Sequence, residues 1–267
     1  MAEKKRFPTG AFCWVELGTT DAKSARDFYS RLLGWSVEEV EMPGGMGTYA
    51  LFQLDGDDVA GMYELTEEQK SQGTPPNWLS YVSVTSADET AGRAKKLGAT
   101  FMMDPMDVPG VGRMAILQDP TAAAVALFQP GEHGGAVPLD NRPGTFCWNE
   151  LATSDPATAR KFYEGLFGWR SEEQDMGPAG TYTMFWNGDR MAGGMMAIGP
   201  DWGPVPSHWA VYFAVEECDA SVEKATKNGA EVRMPPTDIP DVGRFAALAD
   251  PQGAAFSIIK LLNPQPT

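Results

Sequence analysis

In the run FCWVEL, residues 12–17, apolar and polar positions alternate so that Trp14 and Glu16 share one face of an extended segment, while Cys13, Val15 and Leu17 share the other. The run returns as FCWNEL at 146–151. After the first copy the period lengthens: Thr20 and Asp21 are N-cap residue types, Ala25, Phe28, Tyr29 and Leu32 are spaced for a helix, and Gly34 stops it. Residues 35–41, 49–54 and 59–65 then read as strands, separated by the turn sequences PGGMG and DGDD. The next stretch repeats the scheme with a strand over 79–84, a small-residue helix over 87–97 ended by Gly98, and strands over 100–103, 112–117 and 124–128. The pattern predicts βαβββ modules.

Repetition sets the organisation. A shift of 134 positions lays FCWVELGTTDAKSARDFYSRLLGW on FCWNELATSDPATARKFYEGLFGW, matching Trp14 with Trp148, Glu16 with Glu150 and Phe28-Tyr29 with Phe162-Tyr163. A shift of 131 matches NWLSYVSV with HWAVYFAV, PGVGR at 109–113 with PDVGR at 240–244, and DP at 119–120 with DP at 250–251. Four modules therefore follow one another as A, B, A′ and B′. The Gly- and Pro-rich stretch PGEHGGAVPLDNRPG marks the boundary, placing a first domain at 7–130, a linker at 131–143 and a second domain at 144–262.

Paired βαβββ modules, with D…S…FY…LLGW in the first and GR…DP before the last strand of the second, resemble the vicinal oxygen chelate superfamily. That group includes glyoxalase I, the extradiol dioxygenases and the bleomycin resistance proteins; within it the chain is similar to a two-domain glyoxalase-like branch. The resemblance implies an α+β fold in which four βαβββ modules form two half-open barrel domains, with helices on the convex faces and ligand on the concave ones. It also implies a divalent metal held by His and Glu from the first strands and from the last strand of module B. Carried onto this chain, those positions hold Trp14, Leu79 and Ala126 in the first half and Trp148, Ala210 and Ser257 in the second, none of them a good ligand. Glu64 is a lone carboxylate, and of the two histidines His133 lies in the linker. We expect no metal and no cofactor, a lack in which the chain resembles the bleomycin resistance proteins.

The concave face would carry Phe12, Trp14 and Glu16, and the repeat extends this to Trp148 and Glu150. The alternative is that the tryptophans fill the barrel and each glutamate pairs with an arginine. By the period of two, Tyr81 and Asn77 face inward in the first half, and Tyr212 and His208 in the second. Arg113 and Arg244, in the repeated VGR, serve either anion recognition or an ion pair with Glu16 or Glu150. Trp14, Glu16, Tyr81, Arg113, Trp148, Tyr212 and Arg244 are thus the candidate ligand contacts. Glu150 and His208 are the candidate acid and base, because His tunes readily to proton exchange where Asn77 only hydrogen-bonds; the alternative for His208 is a strand-end cap. The Gly-rich segments 41–49 and 175–182 read as flaps at the barrel mouth.

Composition narrows the partners. A formal charge of -15 over 267 residues leaves no basic stripe for nucleic acid or an anionic membrane, and no apolar span is long enough to cross a bilayer. The N-terminus shows no secretory pattern, so a cytoplasmic location is the expectation. Three cysteines without CxxC spacing, Cys13, Cys147 and Cys218, read as small buried apolar residues. The expected partner is a small, flat or aromatic organic molecule, bound by a monomer or homodimer. The alternative is a metal-independent lyase, isomerase or hydroxylase-like enzyme using Glu150 and His208; a metal-dependent glyoxalase or dioxygenase rests on the resemblance alone.

Overall fold

Sixteen strands and five helices make up the described part of the chain in a computed structural model, which covers residues 7–42, 47–136, 141–177 and 180–263. Module A runs β1 (Phe12–Thr19), α1 (Ala22–Leu33), β2 (Ser36–Glu41), β3 (Thr48–Leu54), β4 (Asp57–Glu64) and a short α2 (Glu67–Ser71). Module B runs β5 (Asn77–Ser83), α3 (Ala87–Lys96), β6 (Thr100–Val108), β7 (Gly112–Gln118) and β8 (Ala124–Pro130). Module A′ runs β9 (Phe146–Thr153), α4 (Pro156–Phe167), β10 (Arg170–Asp175), β11 (Thr181–Asn187) and β12 (Arg190–Ala197). Module B′ runs β13 (His208–Ala214), α5 (Cys218–Lys227), β14 (Glu231–Ile239), β15 (Gly243–Ala249) and β16 (Ala255–Leu261).

Local chemistry explains the helix ends. Asp21 and Asp155 accept the backbone N–H groups of Ser24 and Thr158 at 3.0 and 3.1 Å, and Gly34 and Gly168 close the helices in the left-handed region at φ 78° and 73°. Two features depart from the pattern reading. Helix α2 was not anticipated; its capping box joins Thr66 and Gln69, too short a signal for apolar periodicity. Strand β6 continues past Met103 through Pro105 to Val108, because register shifts absorb the proline where its missing N–H costs no ladder bond.

The strands form two eight-stranded mixed sheets, ordered β2-β3-β4-β1-β5-β8-β7-β6 and β10-β11-β12-β9-β13-β16-β15-β14. Neither order returns to its first strand, so both sheets are half-open and the fold is α+β, as expected. Register assigns the faces. Glu16 pairs with Gly61 across the parallel β1–β4 contact, Gly18 with Tyr63, and Tyr63 with Tyr49 on β3. Directly opposed residues point the same way, so Trp14, Glu16, Gly18, Tyr49, Gly61 and Tyr63 share a face. Val15, Leu17, Ala50, Phe52, Ala60 and Met62 take the other, where all are buried. The predicted separation of Trp14 and Glu16 from Val15 and Leu17 is thus present.

Compactness follows a different partition from the sequence halves. One unit gathers the chain up to Cys13, Ser80–Gly135 and Trp148–Ala210; the other gathers Trp14–Leu79, Ala136–Cys147 and the chain from Val211. Each thus combines most of one module from either half, B with A′ and A with B′. Their cores repeat one motif. In the second unit Tyr29 of α1 accepts a hydrogen bond from the Trp78 indole at 2.9 Å and donates to Asp250 at 3.1 Å, with Trp35, Phe52, Phe213 and Phe256 around it. In the first, Tyr163 of α4 accepts from Trp209 at 2.7 Å and donates to Asp119 at 2.9 Å, beside Trp169 and Phe185. The other carboxylate oxygen of Asp119 takes the backbone N–H groups of Thr121 and Ala123; that of Asp250 takes those of Gln252 and Ala254. The repeated FY and DP signatures are the two ends of one buried hydrogen bond, which accounts for their recurrence.

Phe12 corrects the facing assignment. Its ring lies 4.9 Å from Trp209, edge to face, and 5.9 Å from Trp169, in the aromatic core of the first unit. Contact with two indoles, one edge-to-face and one tilted, outweighs exposure on a concave face.

Candidate functional site

The opening strands of modules A and A′ carry the same hydrogen-bonded array. Trp14 Nε1 donates to Tyr49 Oη at 3.2 Å, and Tyr49 Oη donates to Glu16 Oε1 at 2.7 Å. In the other unit Trp148 Nε1 donates to Tyr182 Oη at 3.1 Å, and Tyr182 Oη to Glu150 Oε2 at 2.8 Å. Both glutamates are half-buried, as is Trp148, whereas Trp14 is buried. Burial and the neighbouring carboxylate push both phenols above their ordinary value, Tyr49 through Glu16 and Tyr182 through Glu150. The tyrosines therefore stay protonated donors, and each carboxylate is aimed by a fixed phenol.

Tyr49 and Tyr182 were missed by sequence reasoning. The signal was present: each stands in a TY pair 133 positions from the other, as do Gly61 and Gly194. Those glycines make the array fit. Gly61 faces Glu16 and Gly194 faces Glu150 in the parallel pairings, and the absent Cβ leaves the space in which each phenol lies.

Arg113 and Arg244, open in the sequence between anion recognition and an ion pair with Glu16 or Glu150, pair with other carboxylates of their own modules. Arg113 forks onto Asp88 at the start of α3, at 2.7 and 2.9 Å, and reaches Asp107 at 3.0 Å. Arg244 binds Asp219 of α5 at 2.6 and 3.0 Å and Asp238 at 2.9 Å. The guanidinium holds Asp88 and Asp219 below the usual carboxylate range. The planar fork is matched by a carboxylate on the helix that precedes the hairpin, so VGR staples the hairpin to its own module's helix.

The remaining candidates lie as follows. Tyr81 and Tyr212 are buried at register positions opposite Ala126 and Ser257, and their carbonyls accept the Cys13 and Cys147 thiols at 3.5 Å. Tyr212 also packs against Phe245 at 6.0 Å. All three cysteines are buried, and burial raises the Cys147 thiol to about 12. His208 opens β13, with Nδ1 2.8 Å from the Pro206 carbonyl; Asn77, its counterpart, donates to the Pro75 carbonyl at 2.9 Å. The two residues thus make the same strand-entry bond. The anticipated flaps fall partly on 43–46 and 178–179, outside the described residues.

A divalent metal does not fit these donors. The positions from which the resemblance would draw ligands carry indole, aliphatic and hydroxyl side chains, and among the described residues no three His, Cys, Asp or Glu side chains assemble into a metal-binding group. Nor, among those residues, is any helix long and apolar enough to cross a membrane.

A family model described as "Glyoxalase/Bleomycin resistance protein/Dioxygenase superfamily" matches residues 12–127 and 145–258. The chain is 40% identical over 260 residues to a Mycobacterium tuberculosis protein named "Putative glyoxylase CFP32", covering 97% of this chain and 98% of that one. It is 37% identical over 274 residues to "Anthracycline biosynthesis protein DnrV" of Streptomyces peucetius, covering 98% and 97%. Among solved structures, 2,2',3-trihydroxybiphenyl 1,2-dioxygenase from Sphingomonas wittichii superposes with a TM-score of 0.65 at 13% identity, over 95% of this chain and 91% of that one. The Mn(II)-bound glyoxalase from Novosphingobium aromaticivorans gives 0.63 at 14%, over 96% and 84%. At such identities these two likenesses concern the fold alone.

Proposed function

The chain belongs to the glyoxalase/bleomycin resistance protein/dioxygenase superfamily, and from that premise we propose that it binds a small, flat aromatic molecule at its Trp–Tyr–Glu arrays without the divalent metal that the resemblance implies. The observation that carries this reading is the order indole, phenol, carboxylate, present twice. An indole offers a flat apolar wall, and a half-buried carboxylate oriented by a phenol is of the acceptor type that a ligand hydroxyl meets. The Streptomyces relative is named for anthracycline biosynthesis; a fused-ring aromatic bearing hydroxyls suits such a wall and acceptor. Titration with a hydroxyanthraquinone should quench tryptophan fluorescence, less in Trp148→Phe, with the compound recovered unchanged by mass spectrometry. Absence of quenching would sink the reading.

A second reading rests on His208. A carbonyl only accepts, so the contact with Pro206 places the proton on Nδ1 and leaves Nε2 of the neutral ring as a base. With Glu150 in the same unit, this supports a metal-independent lyase, isomerase or hydroxylase-like enzyme. Conversion of a bound compound that is lost in His208→Asn while binding persists would favour it; conversion unaffected by that substitution would remove His208 from the chemistry.

A further inference from the structure

On the face that carries the carboxylates, Tyr63 of β4 stands where Met196 of β12 stands in the other array. We propose that Tyr63 is a specificity-determining residue: it makes the array of Glu16 prefer ligands with a second hydrogen-bonding group on the edge that meets the carboxylate, while Met196 leaves the array of Glu150 indifferent to that group. The inference rests on the binding reading above and deepens it.

Tyr63 stands on the face of β4 that carries Gly61, opposite Tyr49 on one side and Gly18 on the other. Its ring lies close over Gly18: a Cβ added there would come within 3.1 Å of Tyr63 Oη and 3.3 Å of Cζ. In the other unit Met196 pairs with Tyr182 and with Ala152. The couple Gly18–Tyr63 is therefore replaced by Ala152–Met196, and the alanine methyl occupies the kind of space that the phenol of Tyr63 needs. A bare glycine and a tyrosine go together, as do an alanine and a flexible thioether.

The chemistry of the two couples is unlike. A phenol donates and accepts, whereas a thioether is at most a weak acceptor on an apolar stem. Tyr63 is half-buried, and burial together with Glu16 raises its phenol, so it stays protonated, while Gln69 acts in the opposite sense. Gln69 is itself fixed, since its Oε1 accepts the Thr66 N–H at 2.9 Å in the capping box of α2. After β12 the chain instead makes a single 3-10 turn over Pro200–Trp202, a segment without a glutamine. Strand β4 thus adds a phenol to the face that carries Glu16, where β12 adds a methionine to the face that carries Glu150.

The test reads both arrays in one molecule. The full chain is labelled with 5-fluorotryptophan, and the 19F resonances of Trp14 and Trp148 are assigned from Trp14→Phe and Trp148→Phe. It is then titrated with 1-hydroxyanthraquinone and with 1,8-dihydroxyanthraquinone, which adds a second hydroxyl on the same edge. At Trp14 the dihydroxy compound should bind about fivefold more tightly, the equivalent of one net hydrogen bond of about 1 kcal/mol; at Trp148 the two should bind alike. Tyr63→Phe should abolish the preference at Trp14 while leaving Trp148 unchanged. The reciprocal double variant Ala152→Gly with Met196→Tyr should create a preference at Trp148, and if it does not fold, Tyr63→Phe decides. Equal ratios at the two tryptophans, or a preference that survives Tyr63→Phe, overturns the inference and leaves the binding reading intact. If neither resonance moves with either compound, the binding reading fails and the inference with it.

Discussion

The phenol of Tyr182 lies over Gly194 so closely that a Cβ built on the glycine would come within 1.9 Å of Oη and 3.1 Å of Trp148 Nε1. Gly61 stands in the same relation to Tyr49, at 1.8 Å. The phenol is the free end of its side chain, so a methyl would swing it off the carboxylate rather than break the sheet. Gly194→Ala should therefore cost about 1 kcal/mol, the low end for an overpacked site, yet weaken anthraquinone binding at Trp148 as much as Tyr182→Phe does. Urea unfolding and 19F titration measure the two effects; retained affinity would show that the phenol does not aim Glu150.

Tyr163→Phe should behave in the opposite way. It removes a buried hydroxyl bonded to both Asp119 and Trp209, leaving a carboxylate oxygen and an indole N–H without that partner. A loss of about 1–3 kcal/mol is expected, with ligand affinity unchanged. Denaturant midpoints check it, and a neutral result would mean that the FY and DP signatures are not energetically coupled.

Asp250 supplies a pH dependence with an unusual sign. Burial raises its carboxyl above the ordinary value, against the lowering by its backbone and Tyr29 hydrogen bonds. The native state then holds a proton that the unfolded chain releases, so this residue's contribution to stability falls as pH rises from the unfolded carboxyl value through the raised folded one. The stability difference between wild type and Asp250→Asn should accordingly shift against the wild type as pH increases across that window. Urea titrations of both proteins from pH 3 to 7, on the order of the range where carboxyls titrate, would show it; a difference that grows in the wild type's favour would contradict the assignment.

Trp148 is half-buried, whereas Trp209 is only 4% exposed and sits among Tyr163, Trp169 and Phe12. Trp209→Ala should cost the ~3–5 kcal/mol of a packed aromatic, and Trp148→Ala clearly less. Equal losses in thermal or urea unfolding would make Trp148 a core residue and weaken its role as a ligand wall.

The donor chemistry also predicts metal content. Purified protein should carry far less than about one Zn, Ni, Fe or Mn per half by elemental analysis, since the aligned positions hold Trp, Leu, Ala and Ser. Stoichiometric metal surviving dialysis against a chelator would overturn the metal-free reading.

Periodicity and repetition by themselves determined the βαβββ modules, the duplication, and the face on which Trp14 and Glu16 stand, because alternation by two and the 3.6-residue helical period are local properties of the chain. They could not find Tyr49 or Tyr182, whose partners lie 33 and 32 residues away and are set by strand register. They left Arg113 open between anion recognition and an ion pair with Glu16 or Glu150, and the fold supplied Asp88, since the reach of a long side chain depends on which helix packs beside its strand. The pairing of Tyr29 with Asp250, 221 residues apart, was beyond any local signal. Only tertiary packing decides which repeat completes which core, because in a duplicated chain either copy of a module presents nearly the same surface, and the choice falls to loop reach and the fit of whole faces.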